Sequence, residues 1–238
     1  MILAIDGPVA SGKSLTARLI AERLGIVYFD TGMTYRAVGL AVIRQGIDPD
    51  DAPAVIRLTE RLDLAIRCVD QAMRVILDGE DVTDALWASD VAAVTSQVST
   101  IPRVRARIVE KQREAVRSLD AVVAGRDIGT VVFPDAVLKV YLDATADERA
   151  RRRYEELRRK GVAVSYDDVY RSVIDRDKRD TQRAESPLVR ADDAILIDTT
   201  DLTVDQQVDR VLGSLMAQMS KQDDTDIDVQ KKNWIAES

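Results

Sequence analysis

Gly7-Pro8-Val9-Ala10-Ser11-Gly12-Lys13-Ser14 follows directly on the apolar run Ile2-Leu3-Ala4-Ile5, with one aspartate between them. Its spelling is G-x-x-x-x-G-K-S. Glycines at this spacing let the backbone curl so that successive N–H groups point inward at an anion, and the positive end of a following helix adds to the attraction. In such a loop Lys13 reaches the terminal phosphates of a nucleoside triphosphate and the Ser14 hydroxyl ligates Mg²⁺. Eight residues alone are moderately specific, so the flanks decide. The run before predicts a buried strand, and residues 13–24 predict a helix stopped by Gly25. Strand, glycine-rich turn and helix together make a nucleotide-binding P-loop.

Working outward, strand and helix patterns alternate as a parallel sheet flanked by helices requires. Strands are expected at residues 2–6, 26–29, 121–124, 138–142 and 194–197, and helices at 34–45, 103–117, 147–160, 167–183 and 204–219. One segment breaks the alternation. Residues 62–68 and 73–77 are short strands about a polar turn at Asp70-Gln71, followed by a helix near 89–99. An antiparallel patch within a parallel pattern predicts a small inserted subdomain, residues 62–99, in a core made of residues 1–61 and 100–220. Residues 221–238 are polar and are expected to form a loosely attached tail.

Composition narrows the chemistry. In 238 residues, 46% hydrophobic and 32% charged, there is room for one full core plus small insertions. A net charge of −7 gives no electrostatic footprint for nucleic acid or anionic lipid. The single cysteine, Cys68, excludes an internal disulfide framework and fits a reducing compartment. No stretch resembles a secretory leader or reaches membrane-spanning length, so a cytoplasmic protein is expected. Histidine is absent, which removes imidazole-based triads and HExxH zinc sites. Phosphoryl transfer fits that restriction, because it relies on positioning and charge stabilisation.

Arginine is concentrated downstream, where its planar fork suits phosphates. The 147–160 helix carries Arg149, Arg151, Arg152, Arg153, Arg158, Arg159 and Lys160 against Asp147, Glu148, Glu155 and Glu156. Two readings stay open: a solvated helix held by pairs such as Glu148–Arg152 and Arg151–Glu155, or a mobile arm closing over a transferred phosphoryl group. In the next helix Arg176, Arg179, Asp180 and Arg183 recur at spacings of three and four, on one side. They form either a surface ion-pair network or an anion pocket with Asp180 facing sugar hydroxyls. Asp30-Thr31-Gly32 and Gly125-Arg126-Asp127-Ile128-Gly129-Thr130 each follow a strand, at the carboxyl edge where open sheets bind ligands. No Asn-Lys-x-Asp guanine motif occurs.

Phe29-Asp30-Thr31-Gly32-Met33-Thr34-Tyr35-Arg36, Val75-Ile76-Leu77-Asp78-Gly79-Glu80-Asp81-Val82, the string from Gly125 through Val131-Val132-Phe133-Pro134-Asp135-Ala136, Arg176-Asp177-Lys178-Arg179-Asp180 and Ser186-Pro187-Leu188 resemble the bacterial cytidylate (CMP) kinase family. The likeness runs in order from Ile2 to about Leu215. It implies an α/β fold: a P-loop NTPase-type parallel sheet flanked by helices, with a small antiparallel insert that binds the nucleoside monophosphate and a helical lid at about 149–165. It also implies transfer of the γ-phosphoryl group of ATP to CMP or dCMP. ATP would lie on Gly7, Pro8, Val9, Ala10, Ser11, Gly12, Lys13, Ser14 and Leu15, with Mg²⁺ on Ser14. The acceptor would lie among Thr31, Arg36, Ser96, Arg105, Arg126, Asp127, Arg176, Asp180 and Arg183. Of these, the resemblance gives Ser96, Arg105 and Asp127 to the cytosine, Arg176 and Asp180 to the sugar, and Arg36, Arg126 and Arg183 to the phosphate. Arg153 would be the lid arginine, and Lys13, Arg126, Arg153 and Arg183 would offset charge on the transferring group.

Two positions depart from the family's usual form. Ala10 stands where glycine is frequent, and is expected to adopt a conformation open to residues with Cβ. Ala124 stands where an acid is common. The expected partners are ATP and (d)CMP, in a monomer without nucleic-acid or membrane partners. Another P-loop kinase, acting on UMP, AMP or shikimate, and a non-catalytic nucleotide-binding regulator are the alternatives.

Overall fold

A computed structural model describes residues 1–69 and 71–236, with side chains for all of these except Ser89 and 221–236. The chain begins β1 (Ile2–Asp6), α1 (Lys13–Leu24), β2 (Val27–Asp30), α2 (Thr31–Arg44) and α3 (Ala52–Arg61). A three-stranded stretch follows, β3 (Leu64–Val69), β4 (Ala72–Leu77) and β5 (Glu80–Asp81), then a single 3-10 turn at Ala85–Trp87 and α4 (Ser89–Val98). Next come α5 (Pro102–Val116), β6 (Ala121–Gly125), a π-helical turn at Ile128–Val132 and β7 (Leu138–Asp143). The chain closes with α6 (Ala146–Arg159), α7 (Tyr166–Gln182), β8 (Ile195–Asp198) and α8 (Val204–Ala236).

Five strands form one parallel sheet in the order β2-β6-β1-β7-β8, and β3-β4-β5 form a separate antiparallel sheet. This is the expected parallel sheet flanked by helices, with an antiparallel insert and a helical lid. Because both faces of the parallel sheet are covered, its strands read as continuous apolar runs. Alternate residues still serve opposite sides. Ala4, Phe29 and Val123 pack with α2, α5 and the insert, whereas Leu3, Ile5 and Val122 pack with Ala17 and Ile20 of α1 and Val208 and Val211 of α8.

The five expected core strands lie within one residue of those observed. Helix α1 has the expected bounds, with Gly25 capping it at φ 67° and donating to the Ala21 and Glu22 carbonyls. Helix α2 starts three residues earlier than expected, because the Asp30 carboxylate accepts from the Gly32 N–H at 2.9 Å and caps it. Helix α3 is not among the expected ones. Its signal is Asp51 accepting from the Ala54 N–H, with Pro53 in the first turn and Ala54, Val55, Ile56 and Leu58 following. Helix α8 runs well past the expected end. The side chains beyond Ser220, and so the loose attachment expected there, lie outside the described residues, as does Asp70 of the hairpin turn. Among the described residues no helix is long and apolar enough to cross a membrane.

Phe29 is fully buried at the centre of the larger core cluster. Phe29→Ala is expected to cost about 3–5 kcal/mol, read as a lowered midpoint in urea unfolding with the slope unchanged.

Candidate active site

The carboxyl ends of β1, β2 and β6, α4, α5 and the α6–α7 pair enclose one cleft of about 530 Å³. The P-loop forms its floor. Gly7 takes φ 152°, and a Cβ there would stand 2.1 Å from the Leu142 carbonyl oxygen. Gly12 takes φ 93°, and a Cβ there would meet Gln207 Oε1 at 2.7 Å. Both positions therefore exclude a side chain.

Ala10 corrects the sequence expectation. It takes φ 59°, in the left-handed region, where an alanine carries strain of about 1 kcal/mol. The loop is braced from behind by residues just after β8 and in α8. The Thr199 hydroxyl lies 3.0 Å from the Ser11 carbonyl, and Thr16 Oγ1 donates to Gln207 Oε1 at 2.8 Å.

Val9, Ala10, Gly12, Lys13, Ser14 and Leu15 line the cleft, while Gly7, Pro8 and Ser11 lie behind them. Lys13 is buried, with Nζ donating to the Pro8 carbonyl at 2.8 Å. Burial, then repulsion from Arg126 and Arg176, holds its ammonium well below the usual lysine range. Ser14 is exposed to the cleft beside Tyr28, whose hydroxyl donates to Asp30 Oδ2 at 3.1 Å. Serine and carboxylate oxygens suit Mg²⁺, which keeps its remaining positions for water and phosphate. Among the described residues no cluster of three or more carboxylate or cysteine side chains forms a separate metal site.

Opposite the P-loop, Asp127 joins two arginines. Its Oδ2 accepts from Arg105 Nη2 at 2.5 Å, and its Oδ1 lies 3.6 Å from Arg183 Nη2. Arg105 also donates to the Ser99 carbonyl at 3.1 Å and stacks over the Tyr35 ring. Arg183 therefore stands against Asp127, and burial followed by repulsion from Arg105 lowers its pKa. Asp180 accepts from Arg126 Nε at 2.8 Å and lies 4.0 Å from Arg176 Nε. Burial acts to raise the Asp180 pKa, but Arg126 and Arg176 more than reverse it. Arg176 is lowered to about 10, by burial first and then by Arg126. Thr31 lines the same cleft and donates to the Ala124 carbonyl at 2.9 Å. The Ala124 methyl faces the packed side of the sheet, among apolar neighbours.

Ser96 and Arg179 are not among the residues that line the cleft. At the level of Ser96 the cleft wall is Thr95 and Ser99, and the Ser96 carbonyl accepts from the Ser99 hydroxyl at 3.4 Å. Arg179 is exposed outside the cleft, because one step back from Asp180 turns a side chain by about 100°.

The arginine-rich helix divides. Arg151 and Arg152 pair with Glu148, Arg151 also pairs with Glu155, and Lys160 pairs with Glu156, as in the solvated reading. Arg153, paired with Glu156, faces the cleft. Arg149 turns inward. Its Nη1 lies 2.7 Å from Asp177 Oδ2 and 3.4 Å from the Val9 carbonyl, tying α6 to α7 and to the P-loop.

Asp6 is absent from the sequence-derived site. Its two carboxylate oxygens accept from the backbone N–H groups of Ile128 and Gly129, each at 2.8 Å. The loop carrying Arg126 and Asp127 is thus fixed to the end of β1. Burial raises the Asp6 carboxyl to about 6 against the two backbone hydrogen bonds.

The sequence pattern of the family described as "Cytidylate kinase" matches residues 3–218. The chain belongs to the cytidylate kinase family. It is 43% identical over 212 residues to the cytidylate kinase of Carboxydothermus hydrogenoformans, covering 89% of this chain and 96% of that one. To the cytidylate kinase of Caldanaerobacter subterraneus subsp. tengcongensis it is 45% identical over 209 residues, covering 88% and 92%. To that of Geobacter sulfurreducens it is 44% identical over 211 residues, covering 89% and 91%. Cytidylate kinase activity, the ATP-dependent phosphorylation of CMP or dCMP, comes with that membership.

Two variants test the geometry of this cytidylate kinase site. Ala10→Gly relieves the left-handed strain and is expected to stabilise the protein by about 1 kcal/mol, seen as a higher Tm. Asp6 is raised in the folded state to about 6, so its contribution is present below the unfolded carboxyl value and lost as pH rises through the folded one. Relative to Asp6→Asn, wild-type stability should fall by on the order of 3 kcal/mol between pH 4 and pH 7 in urea titrations.

Proposed function

We propose that the P-loop half of the cleft holds Mg·ATP, that CMP or dCMP lies against Arg105, Asp127 and Arg183, and that the γ-phosphoryl group passes between them. One observation carries this reading: a single cleft is lined by the P-loop with Lys13, by the Arg105–Asp127 pair, and by Arg36, Arg126 and Arg153. Mg²⁺ would be held by Ser14, with Asp30 nearby, and supplies charge neutralisation on the triphosphate when bound. Lys13 exchanges the Pro8 carbonyl for a phosphate oxygen, whose negative charge favours the ammonium form. Arg126, Arg153 and Arg183 draw charge off the transferring group. The acceptor phosphate is already ionised at neutral pH, so no general base is needed, in keeping with a chain that lacks histidine.

Base choice is assigned to Asp127. A carboxylate accepts from the exocyclic amino group of cytosine, whereas uracil would present a carbonyl oxygen to it. Asp127 is 4% exposed and gripped by Arg105, so it cannot swing aside. The residue 62–99 insert would carry the wall around the acceptor, with Ser96 joining Arg105 and Asp127 in reading cytosine. We further propose a cytoplasmic monomer acting on these small nucleotides without nucleic-acid or membrane partners; the acidic balance and the single cysteine support this.

A coupled assay of ADP release across CMP, dCMP, UMP and AMP tests the assignment. CMP and dCMP should turn over fastest, and preference for UMP or AMP would overturn it. Asp127→Ala should lower kcat/KM for CMP on the order of 100-fold with ATP affinity little changed. Equal losses on both nucleotides would make Asp127 structural.

A further inference from the structure

Arg36 is held unlike any other arginine of the cleft. The other six each have a carboxylate within 4.0 Å, and among the described residues Arg36 has none. Its guanidinium instead lies over the indole of Trp87, with Cζ 4.8 Å from the ring centroid. Nη1 donates to the Leu86 carbonyl at 3.1 Å. Leu86 is fully buried and anchors the 3-10 turn, whereas Trp87 beside it is 53% exposed and lines the cleft.

An aromatic face attracts a guanidinium through the ring quadrupole and leaves the in-plane N–H groups untouched. A carboxylate would do the opposite: it would occupy the fork and neutralise the charge. Between one carbonyl and one π face, Arg36 has its plane set while Nε and Nη2 remain available. That is the condition a residue needs if it is to receive a phosphate bidentately without first releasing an anionic partner.

We infer that Trp87 is a positioning residue for the acceptor's phosphate, orienting Arg36 while leaving its charge unspent. The inference rests on the acceptor reading above. It also assigns the exposed tryptophan, for which the packing of the insert gives no other reason.

The test is steady-state kinetics of wild type, Trp87→Ala and Trp87→Phe, varying CMP at saturating Mg·ATP and then the converse. Trp87→Ala should raise KM for CMP about 3- to 30-fold with KM for ATP within about twofold of wild type, and Trp87→Phe should restore most of the loss. Arg36→Lys should cost less in the Trp87→Ala background than in wild type. Since Trp87 and Trp234 are the only tryptophans, a Trp234→Phe protein reports on Trp87 alone. Its emission should respond to CMP and not to cytidine. An unaltered KM for CMP, equal rises for both nucleotides, or equal responses to CMP and cytidine would overturn the role of Trp87. A wild-type protein that does not phosphorylate CMP would overturn the acceptor reading and this role together. Activity on CMP with an unaffected Trp87→Ala variant would overturn this role alone.

Discussion

Asp127 sits between two guanidinium groups, and the rest of the site depends on that arrangement. Seven arginines and a lysine line one cleft, close enough for burial and mutual repulsion to lower the pKa values of Lys13, Arg176 and Arg183. Such a concentration of like charge is sustainable only with internal anions. Asp127 serves Arg105 and Arg183, and Asp180 serves Arg126 and Arg176. Arg105 and Asp127 are both almost wholly removed from water, so each is the condition for the other's burial. The carboxylates settle the cleft without saturating it, and the remaining positive charge is what the phosphate groups of a donor and an acceptor nucleotide would meet.

Holding those charges in register is the work of the parallel sheet. Strand β1 pairs with β6 so that Asp6 stands opposite Gly125, one residue before Arg126. From there its carboxylate reaches the two N–H groups that open the π-helical turn, and so aims Arg126 and Asp127 together. Arg149 does similar work for the lid, through Asp177 on one side and the Val9 carbonyl on the other. The P-loop backbone and the α6–α7 pair are therefore in direct contact.

What could be read from the sequence follows from how local each signal is. The P-loop, the capping Gly25 and the buried strands are written in runs of neighbouring residues, and they appear where expected. The Gly125–Ala136 string and the arginines after it named the family and led to most of the cleft wall. Features that depend on distant partners were not legible. Asp6 follows an apolar strand and reads as the lead-in to the P-loop, and nothing local says that its acceptors are used some 120 residues later. Arg149 looks like one more cation in a charged helix. Ala10 carries no sign of its left-handed backbone, which is imposed by the loop around it. Trp87 is an isolated aromatic with no periodicity to place it. Ser96 and Arg179 were each within one residue of the cleft wall; a helix turns side chains by about 100° per residue, so one residue is enough to leave it.

The bracing of the P-loop by Thr199 and Gln207 also bears on how the protein comes into being. The P-loop leaves the ribosome well before its supports, which lie just after β8 and in α8. A growing chain thus carries the loop without the hydroxyl and amide that brace it until a further 188 and 191 residues have been added. Closing such long-range contacts is slow and entropically costly. Full bracing of the P-loop therefore waits until the segment after β8 has folded back against α1 and the loop before it.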